Sequence, residues 1–118
     1  FELDIDVTPQ FINKFIAGKG ALGETDNFTI LTNGTGVKVV IGYSSVNTNR
    51  VTIPVTTSKV SDIDNVSFNA NIFKEVLHAN KECESATLEV SSEGLSRITF
   101  KVDDYTSTYY LVAVQDVD

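Results

Sequence analysis

His78 and Cys83 are the only histidine and the only cysteine in this 118-residue chain. They stand five positions apart, so a helix would not bring them to one face as a nucleophile and its base. Cys83 reads instead as a buried or loop thiol. Two pairs of close carboxylates occur, Asp62 with Asp64 and Asp103 with Asp104. Neither has the spacing of a calcium loop, and both read as solvated turns. No Ser-His-Asp set, phosphate-binding glycine loop, dinucleotide fingerprint or paired-histidine zinc motif is present. The expectation is therefore no enzyme, no metal site and no cofactor. What remains is a group of cations, Lys14, Lys19, Lys74 and Lys81, with polar neighbours Gln10, Asn13, Asn71 and His78. Ammonium and amide groups in such a set can hold backbone phosphate without reading sequence. Arginines are few and aromatics are not interleaved with the lysines, so base readout and single-strand stacking are not expected.

Two amphipathic helices must position these residues. In "TPQFINKFIAGKG", Thr8 can cap and Pro9 suits the first helical position, where its missing N–H costs nothing. Phe11, Ile12, Phe15 and Ile16 form one apolar stripe, and Gly18 and Gly20 are expected to end the helix. In "NANIFKEVLHANKE", Asn69 can cap and Ile72, Phe73, Val76 and Leu77 form the same stripe. At about 100° per residue, Gln10, Asn13, Lys14 and Ala17 face outward on the first helix. Asn71, Lys74, Glu75 and His78 do so on the second, with Lys19 and Lys81 at or just beyond the two ends. Segments 8–19 and 69–82 hold four of the nine Lys/Arg and two of the sixteen Asp/Glu, a net +2. The rest of the chain must then sum to −9 to give the total of −7. Lysines near helix C-termini also complement the dipole, so this segregation has a purely structural reading as well.

The two stripes superimpose under a shift of 61 positions, which makes the chain an internal repeat. Each helix is preceded by a strand, "ELDIDV" or "IDNVSF". Each is followed by a hairpin with a glycine turn, at Gly34 to Gly36 or at Gly94, and then by a third strand, "RVTIPV" or "TYYLVAV". The expected fold is α+β: a duplicated β-α-β-β-β unit, residues 1–57 and 62–118, joined near "TTSKVSD". Both helices would lie on one face of antiparallel sheet.

Length allows one domain with a real core, and 42% hydrophobic with 21% charged residues is an ordinary globular balance. No apolar run approaches the roughly 20 residues of a transmembrane helix. The chain opens on Phe1 rather than methionine, as a piece of a longer protein would. A lone cysteine leaves no disulfide framework, which fits an intracellular origin. The triplets Asn27-Phe-Thr, Asn33-Gly-Thr and Asn65-Val-Ser are permissive for glycosylation. With the acidic composition they motivate a rival reading, a secreted or virion-surface β-rich adhesion domain. A second rival is an enzyme with a polar cleft holding Asp62, Asp64 or His78.

The duplicated unit with both helices on a basic face resembles the DNA sliding clamps. The closing "TYYLVAVQD" is similar to the "YYLAP" strand that ends the proliferating cell nuclear antigen clamps. The order of "DVTPQFINKFI", hairpin, "NVSFNANIFKEVL", hairpin and "YYLVAV" most resembles the C-terminal domain of a T-even-like bacteriophage clamp subunit, over nearly all 118 residues. One domain is present where such a subunit has two. The resemblance implies a DNA polymerase processivity factor: a homo-oligomeric ring, a trimer, encircling duplex DNA in the cytoplasm of an infected host cell. It implies that Lys14, Lys19, Lys74 and Lys81, with Gln10, Asn13, Asn71 and His78, face the DNA weakly and non-specifically. It places ring contacts on edge strands at Arg50, Thr52, Pro54, Thr106 and Thr108, where Pro54 suits an edge. It gives polymerase and clamp loader, through short peptides, a pocket at Tyr110, Leu111, Ala113, Val114 and Leu95. No membrane partner is implied.

Overall fold

The computed structural model describes residues 1–33, 36–42, 49–59 and 62–114. Its elements run β1 (Leu3–Asp6), α1 (Pro9–Ala21), β2 (Asn27–Thr32), β3 (Val37–Ile41), β4 (Val51–Pro54) and β5 (Thr56–Lys59). The second half follows with β6 (Val66–Asn69), α2 (Ala70–Ala79), β7 (Ser85–Val90), β8 (Leu95–Val102) and β9 (Tyr105–Val112). The α+β class and the repeated β-α-β-β-β order are as expected. Of the first hairpin turn, Gly34 lies outside the described residues.

The two halves are not separate units, because each lends its first strand to the other. β1 pairs with β7, giving a sheet ordered β5-β1-β7-β8-β9, and β6 pairs with β2, giving β4-β3-β2-β6. Part of the expected joint, Thr56–Lys59, is itself a strand, β5, on the far side of β1. Only Val55 separates β4, at the edge of one sheet, from β5, at the edge of the other. The chain after β9 makes the matching crossing, since the Val114 N–H donates to the Ser67 carbonyl of β6 at 2.9 Å. A strand that changes sheets closes a corner of the stack, so one continuous core results.

Both helices lie against the four-stranded sheet, α1 against β4 and α2 against β2 and β6, and they touch each other. Phenylalanines fill the space between. Phe73 of α2 meets Phe15 of α1 edge-on at 4.9 Å and stacks on Phe28 of β2 at 4.7 Å. Edge-to-face and offset pairs of this kind add to the stabilisation from buried area. Phe15, Phe28, Phe68 and Phe73 are fully buried.

The caps form as their residue types dictate. Thr8 Oγ1 accepts from the Phe11 N–H at 3.0 Å, and Asn69 Oδ1 accepts from the Ile72 N–H at 2.9 Å. Two expectations fail. α1 does not end at Gly18 or Gly20 but runs through both to Ala21. Gly18 serves packing instead: a Cβ there would stand 3.0 Å from Val51 Cγ1. Ile72, placed in the buried stripe, is 51% exposed. β6 runs straight into α2, its last residue Asn69 being also the cap, whereas Val7 and the cap Thr8 lie between β1 and α1. The caps therefore match at a shift of 61, but the buried Phe73 and Leu77 match Phe11 and Phe15 at 62. That one-residue offset turns α2 by roughly 100° relative to its counterpart and moves Ile72 into solvent.

Candidate nucleic-acid interface

The two helices touch, and each exposes most of its expected polar set. On α1, Gln10, Asn13 and Lys14 are exposed, and no acidic residue occurs from Pro9 to Ala21. On α2, Asn71, Glu75 and His78 are exposed and Lys74 is half-buried. Asn71 Nδ2 lies 3.5 Å from Asp26 Oδ1. Lys81 is exposed in the turn just past the α2 C-cap, Asn80. Lys74, Glu75, His78 and Ala79 line an open depression of about 400 Å³. A smaller one, about 70 Å³, lies beside Lys14 and Gln10 against the β4–β5 crossing.

Lys19 departs from the expected set. It is only 5% exposed, and its Nζ donates to the Gly23 carbonyl at 3.1 Å. Because α1 continues past Gly18, Lys19 sits within the last turn, where its ammonium meets the carbonyl-rich helix end. It caps the helix from inside and does not present its charge to a ligand. Its spacing from Lys14 gave no sign of this, since burial depends on where the chain turns after the helix.

The edge residues fall on true edges. Among the described residues β4 pairs only with β3 and β9 only with β8, each outermost in its sheet. Thr52 and Pro54 are exposed on β4, Arg50 precedes it, and Thr106 and Thr108 are exposed on β9.

At the end of β9, strand alternation divides the expected pocket residues. Leu111 faces inward and is buried, whereas Tyr110 is 59% exposed. Ala113 and Val114 are half-buried, and the Ala113 N–H donates to the Gly94 carbonyl at 2.7 Å. Val112, which the sequence reading passed over, is the most exposed large apolar residue of the strand at 73%. It pairs with exposed Leu95, and Tyr110 pairs with Arg97. Arg97 in turn reaches Glu89 Oε1 at 2.7 Å and lies 4.7 Å from the Phe1 ring centre. The hydrogen bond from Arg97 to Glu89 holds the guanidinium pKa above its ordinary value. The apolar surface here is thus Leu95, Tyr110 and Val112. A strict period-two reading of "TYYLVAV" would have put Tyr110 and Val112 together and Leu111 opposite them.

Cys83 is half-buried, and burial pushes its thiol pKa up, which disfavours the nucleophilic thiolate. Among the described residues no three His, Cys, Asp or Glu side chains gather as metal ligands. None of the described helices is long and apolar enough to cross a membrane.

No family model matches the chain, and no curated protein matches it in sequence. Among solved structures it is similar to the beta subunit from DNA polymerase of Streptococcus pyogenes, with a TM-score of 0.64 and 16% sequence identity. The match covers 98% of this chain and 32% of that subunit, so the chain spans about a third of its length. At this identity the likeness establishes the fold, that of a sliding-clamp domain.

Proposed function

We propose that the chain is one domain of a DNA sliding clamp, a processivity factor that holds a polymerase on duplex DNA and performs no chemistry of its own. The observation that carries this reading is the acid-free outer surface of α1 beside α2, in a clamp-domain fold whose total charge is −7. Phosphate would meet Lys14, Lys74 and Lys81 there, with Gln10, Asn13, Asn71 and His78 as polar neighbours. Three cations, Lys14 and Lys81 exposed and Lys74 half-buried, give a loose, sequence-independent grip, suited to a part that must move along the duplex.

In this reading the edges β4 and β9 of neighbouring domains pair to close a ring, a trimer of two-domain subunits of the bacteriophage type, working in the cytoplasm of the infected host. Leu95, Tyr110 and Val112 give polymerase and clamp loader a place to set the apolar side chains of a short peptide. Reversing the charge of Lys14 and Lys74 together in the intact subunit tests the central claim. Processivity on primed template is expected to fall with the circular dichroism spectrum unchanged. Unchanged processivity at physiological salt would refute the assignment of this surface to DNA.

A further inference from the structure

Glu75 stands against the character of the surface it occupies. It is exposed on the outward arc of α2, adjacent to Lys74 and three residues before His78, and it lines the same depression as both. Helix stability does not account for it. Glu75 lies beyond the first turn, which holds no acidic residue, so it gains nothing from the N-terminal dipole. Four positions on stands Ala79, which carries no charge, and His78, three positions on, forms no ion pair with Glu75. Among the described residues no lysine, arginine or histidine forms an ion pair with it. Its charge is therefore directed at whatever the surface meets.

Lys19 works in the same direction by a different route, since its ammonium is withdrawn into the end of α1 and bonded to Gly23. One potential contact is removed from the first helix, and one repulsion is added to the second. We propose that Glu75 sets how weakly the helical surface holds a polyanion: a phosphate entering the depression meets the Lys74 ammonium and the Glu75 carboxylate at once. This rests on the reading of the surface as DNA-facing and adds a repulsion from Glu75 to a grip already limited to three cations.

The experiment compares Glu75→Gln with wild type in the full-length protein, using a mixed-sequence DNA duplex and fluorescence anisotropy. Removing one like charge beside a phosphate is expected to tighten binding about three- to tenfold at about 50 mM salt, with the gain shrinking toward about 300 mM as screening grows. Diffusion of the protein along DNA is expected to slow in parallel. Glu93→Gln, in the turn between β7 and β8, is expected to change neither. If Glu75→Gln leaves affinity unchanged while the Lys14 and Lys74 reversals weaken it, the role given to Glu75 is wrong and the DNA-facing reading stands. If the reversals also leave affinity unchanged, both fall together.

Discussion

α1 and α2 are built alike and present different surfaces. Each starts at a side-chain cap that accepts from the third residue beyond it, and each sends phenylalanine into the same cluster. Their outer surfaces diverge: α1 shows amides and one lysine, whereas α2 adds a carboxylate, an imidazole and an exposed isoleucine. A duplicated element is thus held to its cap and core by packing, while its solvent side is free to change. The one-residue offset between cap and core shows how little geometry is needed. Two fewer residues between strand and helix bring a different set of side chains outward.

The largest effect that would sharpen this comparison comes from neighbouring residues of α2. Phe73 touches phenylalanines of α1 and β2, so Phe73→Ala should lower unfolding free energy by about 3–5 kcal/mol. Ile72, half exposed, should cost less than about 1 kcal/mol on the same change. Denaturant unfolding of both variants measures the difference. Equal costs would mean that α2 buries the same face as α1, and the offset would be wrong.

The next effect separates the two glycines of α1. Gly18 lies against Val51 and Ile41, and Gly20 has open space where a Cβ would go. Gly20→Ala should stabilise by about 0.5–1 kcal/mol, the ordinary helix-interior gain over glycine. Gly18→Ala should destabilise by about 1 kcal/mol or more, because overpacking against β4 outweighs that gain. Thermal melts of the two variants should move in opposite directions. A stabilising Gly18→Ala would show that α1 and β4 have room to separate.

Sequence carried much of this, and the limits have physical causes. Thr8 and Asn69 were legible as caps because capping depends on the residue and its next three neighbours. The hairpins were legible from strand patterns and Gly94, whose φ of +90° suits glycine. The exchange of β1 and β6 was not legible. Leu3 pairs with Val90 and Phe28 with Phe68, and no local pattern distinguishes those partners from nearer ones. Among the candidate residues, Lys14 followed from helical periodicity alone. Lys19 did not, since its burial is fixed by the turn that brings the Gly23 carbonyl to its ammonium. Val112 could have been found, because alternation along β9 places it with Tyr110.

The smallest effect bears most directly on function, because it compares two lysines five positions apart on one helix. Lys14 is exposed and Lys19 is buried against a carbonyl. If the helical surface meets phosphate, Lys14→Met in the full-length protein should reduce the slope of log affinity against log salt by about 0.9, one released counterion. Lys19→Met should leave the slope unchanged, since the ammonium it removes contacts Gly23 and not a ligand. Lys19→Met leaves the Gly23 carbonyl without its side-chain donor and should cost about 1–3 kcal/mol, so a thermal melt of the second variant checks that it is folded before its slope is read. Titrations at several salt concentrations give both slopes from one experiment. Equal reductions would mean that Lys19 leaves its internal bond to reach DNA, and the two helices would then contribute equally to the grip. A reduction confined to Lys14 would place the remaining contacts on α2, where Lys74 shares a depression with Glu75, and on the following turn, where Lys81 is exposed.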